Sequence, residues 1–142
     1  MKRAWRIVLT GTLLCIVLLA AFFYPRGGGN VDQTVLVSVE SELYTEEDIQ
    51  DAADAVLGYF KKGFDGCTLT GLRCAGDGAA GQFARREEPY QVDEAVVLLS
   101  AFDVGSSGGD GALNPNYTCR DWGWGLGRNA GGAWEPLTCG YG

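Results

Sequence analysis

Residues 7–24 (IVLTGTLLCIVLLAAFFY) form an unbroken apolar run, and no other feature constrains the chain as strongly. As a helix rising about 1.5 Å per residue the run spans about 27 Å, close to the thickness of a bilayer's hydrocarbon core. Its polar side chains are Thr10 and Thr12, whose hydroxyls can bond back to the preceding helical turn. Trp5 precedes it, and Phe22, Phe23 and Tyr24 close it, as in an aromatic belt. Lys2, Arg3 and Arg6 lie before the run and only Arg26 just after it. The positive-inside rule then predicts a cytoplasmic N-terminus and an extracytoplasmic remainder. The lipid bilayer is thus the first expected partner, through residues 7–24. The competing reading is secretion after signal-peptide cleavage. It fits the basic start, but the apolar core is longer than usual and Leu18 stands where a peptidase prefers a small residue. Cys15 follows Leu14 rather than the small residue of a lipid-attachment site, so it reads as a packing residue.

The expected organisation is a stub and signal-anchor helix over 1–25, a tether over 26–44, and an extracytoplasmic domain over 45–142. Four of the eleven basic residues (Lys2, Arg3, Arg6, Arg26) fall before residue 27, leaving seven against 18 acidic residues and a net charge of −11. That sign disfavours nucleic acid and anionic lipid surfaces as partners. A cationic partner or plain solubility suits it. The chain has no histidine, which removes Ser-His-Asp and Cys-His triads and His-ligated zinc.

Cys67, Cys74, Cys119 and Cys139 are an even set in a domain expected outside the cell. They read as two disulfides rather than a zinc site, since no Cys-x-x-Cys pair occurs. If 67–74 is one extended strand, its ends lie about 23 Å apart and cannot bond, so each would reach toward the C-terminal hairpin. If the chain turns at Gly71, a local bridge becomes possible. The pairing stays open.

The clearest helix begins at Thr45, where Thr45-Glu46-Glu47-Asp48 approximates a capping box. Ile49, Ala52, Ala53, Val56, Leu57, Phe60 and Phe64 follow at helical spacing, with Lys61 and Lys62 in the last turn and Gly63 as the expected left-handed stop. A short strand is expected over 34–39 and another over 66–75, with a loop over 76–88. The strongest strand signal lies in 94–104, apolar on both parities, as in a central strand covered on both faces at one end. Residues 105–116 read as a long loop. In 117–128, Trp122, Trp124 and Leu126 alternate with Gly123, Gly125 and Gly127, so one face carries bulk and the other admits a close neighbour. Parity puts Arg120 on the tryptophan face and Asp121 opposite. Pro136 marks the last strand as an edge. The sum is α+β: one amphipathic helix on a curved antiparallel sheet of about four strands.

Gly76-Asp77-Gly78-Ala79-Ala80-Gly81 matches G-x-G-x-x-G but lacks the required context, and Asp77 would repel a pyrophosphate. No cofactor is expected. Residues 103–116 supply Asp103, Asp110 and Asn114 as weak calcium candidates, without the bidentate Glu of an EF-hand. Trp122, Trp124 and Trp134, near Tyr117 and Tyr141, are either core or a candidate binding surface, with core the simpler assignment. Asn116-Tyr117-Thr118 is a glycosylation sequon.

Several runs together carry a resemblance: Gly66-Cys67-Thr68-Leu69-Thr70, then 98–104 (LLSAFDV), Ser106-Ser107-Gly108-Gly109-Asp110-Gly111, Asn114-Pro115-Asn116, and Trp122, Trp124, Arg128 with the closing Gly140-Tyr141-Gly142. With these the chain resembles a family of small uncharacterised exported or membrane-anchored proteins of Gram-positive bacteria. The resemblance implies a cystatin-like domain of the nuclear-transport-factor type, with no assigned activity to carry over. Members place aromatic residues near Cys119 and Cys139, so the cysteines here are a departure that suits an added disulfide.

The function expected is therefore a non-enzymatic binding or interaction module with a protein or envelope ligand held on the concave sheet face. The alternatives are a small enzyme of the same fold, using Asp121 or Asp103 as a buried base, and an acidic immunity or inhibitor protein.

Overall fold

A computed structural model describes residues 27–37, 41–86 and 91–141. The expected membrane segment, residues 7–24, lies outside these. No helix among the described residues is long and apolar enough to cross a membrane.

The elements run β1 (Val35–Val37), α1 (Glu46–Gly63), β2 (Cys67–Cys74), α2 (Asp77–Arg86), β3 (Glu94–Val104), β4 (Thr118–Arg128) and β5 (Glu135–Gly140). The fold is α+β. Its single sheet has five strands in the order β1-β2-β3-β4-β5, with β1 parallel to β2 and the other pairs antiparallel. The four antiparallel strands match the expectation. The parallel β1 does not: α1 carries the chain back across the sheet, and such a crossover delivers the next strand parallel.

The start of α1 follows its local chemistry. The Thr45 hydroxyl accepts from Asp48 N at 3.1 Å, and the Asp48 carboxylate accepts from Thr45 N at 3.0 Å, closing a capping box. Ile49, Ala52, Ala53, Val56 and Phe60 then bury one stripe. The end differs from expectation. The helix runs through Gly63, and Phe64 caps it at φ −117°, donating N–H to Phe60 O. The left-handed turn waits until Gly66, φ 69°. Phe64 enters the core, its ring stacked on Phe60 at 4.5 Å, and that packing sets the stop.

Central strand β3 buries Val96, Leu98, Ser100, Phe102 and Val104 toward α1. Both neighbours bulge against it at one level. On β2 the register shifts between Leu69 and Gly71, and β4 inserts a residue between its pairings with Phe102 and Ser100. Such bulges bend and twist a sheet. They also reverse the alternation, so Leu69 and Leu72 share one face, and so do Cys119 and Trp122.

The loop expected over 76–88 is instead α2 across its described part. Its sequence has no continuous apolar stripe, so tertiary packing rather than local pattern holds it. Ala80 is buried, and the Phe83 ring lies against the backbone of Gly125. The glycine face of β4 thus admits a close neighbour, and that neighbour is α2. β3 is covered on both faces at this end, by α1 on Val96 and Leu98 and by α2 near Ala95 and Val97.

An ion cluster closes the domain beside the start of α1. Arg128 bonds Glu94 at 2.6 and 3.2 Å, pairs with Asp48 at 2.9 Å, and lies 4.3 Å from the Trp134 ring centre. Its hydrogen bonds to Glu94, and then to Asp48, push the guanidinium's pKa further up, so it stays charged. Pro136 lies on edge strand β5, as its missing N–H requires.

Candidate functional site

The sheet face under α1 is filled. Trp124 is 0% exposed and Trp134 6%, and Trp122 packs edge-on to Phe102 and Phe64. Trp124 donates its indole N–H to Ser100 Oγ at 2.8 Å. Trp124 and Trp134 belong to the core, and Trp122 packs against it half-buried. Open space lies on the opposite face of the sheet.

On that outer face burial fades along β3. Ala95 is buried, Val97, Leu99 and Ala101 are half-buried, and Asp103 is exposed. Residues of α2 border Val97, and none of them borders the hollow over Leu99 and Ala101. Among the described residues two hollows lie on this face. One, of about 290 Å³, is bounded by Ala79, Gln82 and Phe83 of α2 and by Gly123, Gly125 and Gly140 of β4 and β5. Tyr141 and Cys139 flank it. The other, of about 270 Å³, has Leu99 and Ala101 as its floor, Val37 as one wall, and Arg73, Arg120 and Asp121 at its rim.

The polar rim depends on the β4 bulge. Asp121 adopts φ 55°, a left-handed conformation that Asp tolerates better than most residues. The bulge puts both Arg120 and Asp121 beside the outer hollow. This corrects the parity argument, which had placed Arg120 among the tryptophans. A regular strand was assumed, and one inserted residue flips everything beyond it. Asp121 accepts from Arg73 Nη2 at 2.8 Å. The signal that would have located the bulge, an Arg-Asp pair between two alternating stretches, is too generic to read alone.

The other candidates sit apart. Asp103 accepts from Thr118 Oγ1 at 2.6 Å, and Asp110 faces Asp65. Partial burial and then the Asp110 carboxylate push the Asp65 pKa up. Among the described residues no three His, Cys, Asp or Glu side chains gather for a metal. Asn116 is exposed in a left-handed turn, φ 54°. Ser100 is the buried polar residue of the described core, and no carboxylate is buried there.

The four cysteines stand as thiols, Cys67, Cys74 and Cys119 buried and Cys139 exposed. Cys67 and Cys74 end one strand, which removes their mutual bridge and leaves two of the three pairings. Register places Cys74, Leu98, Trp124 and Cys139 in one row across four strands, about 14 Å end to end at ordinary strand spacing. Cys67, opposite Val104, and Cys119, opposite Phe102, flank β3 on the core side, about 12 Å apart by strand spacing and rise. Burial first, and then Cys119, push the Cys67 thiol's pKa up.

Compared with family models, curated proteins and solved structures, the chain matches none.

Proposed function

We propose that this chain is a single-pass, membrane-anchored extracytoplasmic binding module that takes a protein or envelope ligand on the outer face of its sheet. Residues 7–24 and their basic flank support the anchor. The four-stranded antiparallel meander over one helix supports the cystatin-like reading, with β1 and α2 as additions to it.

The observation that carries the proposal is the half-bare β3. The strand is the centre of the sheet, yet among the described residues no helix borders the hollow over Leu99 and Ala101. Apolar residues in that position, bounded by charged rims, are the anatomy of a recognition surface. The enzymatic alternative needs a buried carboxylate. Asp121 and Asp103 are both exposed, one held by Arg73 and the other by Thr118.

A photoreactive side chain at Leu99 or Ala101, compared with one at exposed Gln50 on α1, tests the site in intact cells. Adducts from 99 and 101 but not from 50 are expected. Equal labelling from all three positions, or none from 99 and 101, overturns the outer-face assignment. Protease shaving of spheroplasts tests the topology, with digestion beyond residue 45 expected before lysis.

A further inference from the structure

We infer that the hollow between Arg73 and Arg120 binds the C-terminal carboxylate of a peptide, with the peptide's last side chain on Leu99 and Ala101. The inference rests on the outer-face reading above and names its ligand class.

Charge makes the first part of the argument. The chain beyond residue 26 carries −11, so a site for an anion must be built locally against the overall field. Among its seven basic residues, Arg128 is locked between Glu94 and Asp48, Lys61 and Lys62 belong to the last turn of α1, and Arg85 and Arg86 end α2. Arg73 and Arg120 come from different strands, and both border one hollow. Arg120 has no ion pair among the described residues. Arg73 uses one N–H on Asp121 at 2.8 Å, which steadies the guanidinium and leaves further donors of its fork. Each guanidinium carries the paired N–H donors that a carboxylate accepts, and both border the hollow.

The backbone makes the second part. Regular alternation would carry Arg120 to the tryptophan face. The inserted residue and the left-handed Asp121 bring it outward instead, at a cost in local strain.

Shape makes the third part. The floor is apolar, and Gly71 leaves it open: a Cβ there would meet only Val35 O, at 3.8 Å. About 270 Å³ equals about nine waters, room for one residue rather than a long acyl chain. Val37 is 53% exposed on β1, the end strand of the sheet among the described residues. A peptide whose last residue fills the hollow can run its preceding residues along that edge, as in strand addition.

The test uses the full chain in detergent micelles, observed by amide NMR. The probes are a pool of randomised short peptides with free C-termini, the same pool C-terminally amidated, and decanoate. The free acids should shift Leu99, Ala101 and Asp121, and the amidated pool should bind at least about tenfold more weakly. Arg120→Gln and Arg73→Gln should each cost about tenfold with the rest of the spectrum unchanged, which reports an intact fold. Equal binding of acid and amide, shifts confined elsewhere, or stronger binding of decanoate overturns the inference. If free peptides fail to bind while crosslinks from Leu99 persist, the peptide end is wrong and the outer-face module stands. If both fail, both are wrong.

Discussion

The Phe83 ring lies on the backbone of Gly125, where a Cβ would sit 2.9 Å from Phe83 Cδ2 and closer still to two further ring carbons. This contact seats α2 on the glycine face of β4. Gly125→Ala should displace Phe83 and cost about 1–3 kcal/mol by overpacking. Phe83→Ala should destabilise by a comparable amount. The double variant should lose clearly less than the sum of the two, because both act on one contact. Denaturant unfolding of the four proteins measures this coupling, and strict additivity would show that the ring is not what holds the helix.

Arg128→Met should be among the costliest substitutions in the domain. It strands Glu94 and Asp48 together and removes the cation from the Trp134 ring. Loss of one partner from such a part-buried cluster costs about 1–3 kcal/mol. Arg128→Lys keeps the charge but not the two-pronged bond to Glu94, so it should recover only part of that. Thermal melts of both variants would check the order.

Acid should weaken the fold through two carboxylates. Hydrogen bonds from the Thr45 backbone and hydroxyl, and then Arg128, hold the Asp48 pKa low, while Ser41 and then the Glu42 N–H do the same for Asp77. A depressed folded pKa gives stability that is present above the unfolded value, about 3.9, and lost as pH falls through the folded one. Ser41→Ala should therefore flatten the acid limb. Asp65 has the opposite sign. Its raised pKa means the folded state loses stability as pH rises from about 3.9 through the raised value. Asp110→Asn should then raise the melting temperature at pH 7 and leave it unchanged below about pH 3. A melting temperature unaltered at pH 7 would count against the Asp65–Asp110 repulsion.

Reduction should leave the domain folded, because its core closes with all four cysteines as thiols. Cys139 should alkylate first, and Cys67, Cys74 and Cys119 only after unfolding. Mass spectrometry of briefly labelled native protein reads this directly. Unfolding on reduction would instead show that bridges of the kind expected for an exported domain carry the structure.

Helix α1 was legible in the sequence because its cap and apolar stripe lie within one short span, and each turn repeats the same instruction. The apolar run of β3 and Pro136 on the last strand were legible for the same reason. Helix α2 was not, since 77–86 has little local preference and becomes a helix by seating Phe83 on a glycine some forty residues away. Nor were the place of Arg120 or the parallel pairing of β1. A bulge and a crossover are settled between strands, by which backbone groups meet. Local pattern chose the elements and their buried faces. Contacts between distant segments chose the register, the second helix and the outer hollow, because each exists only once two parts of the chain are held together.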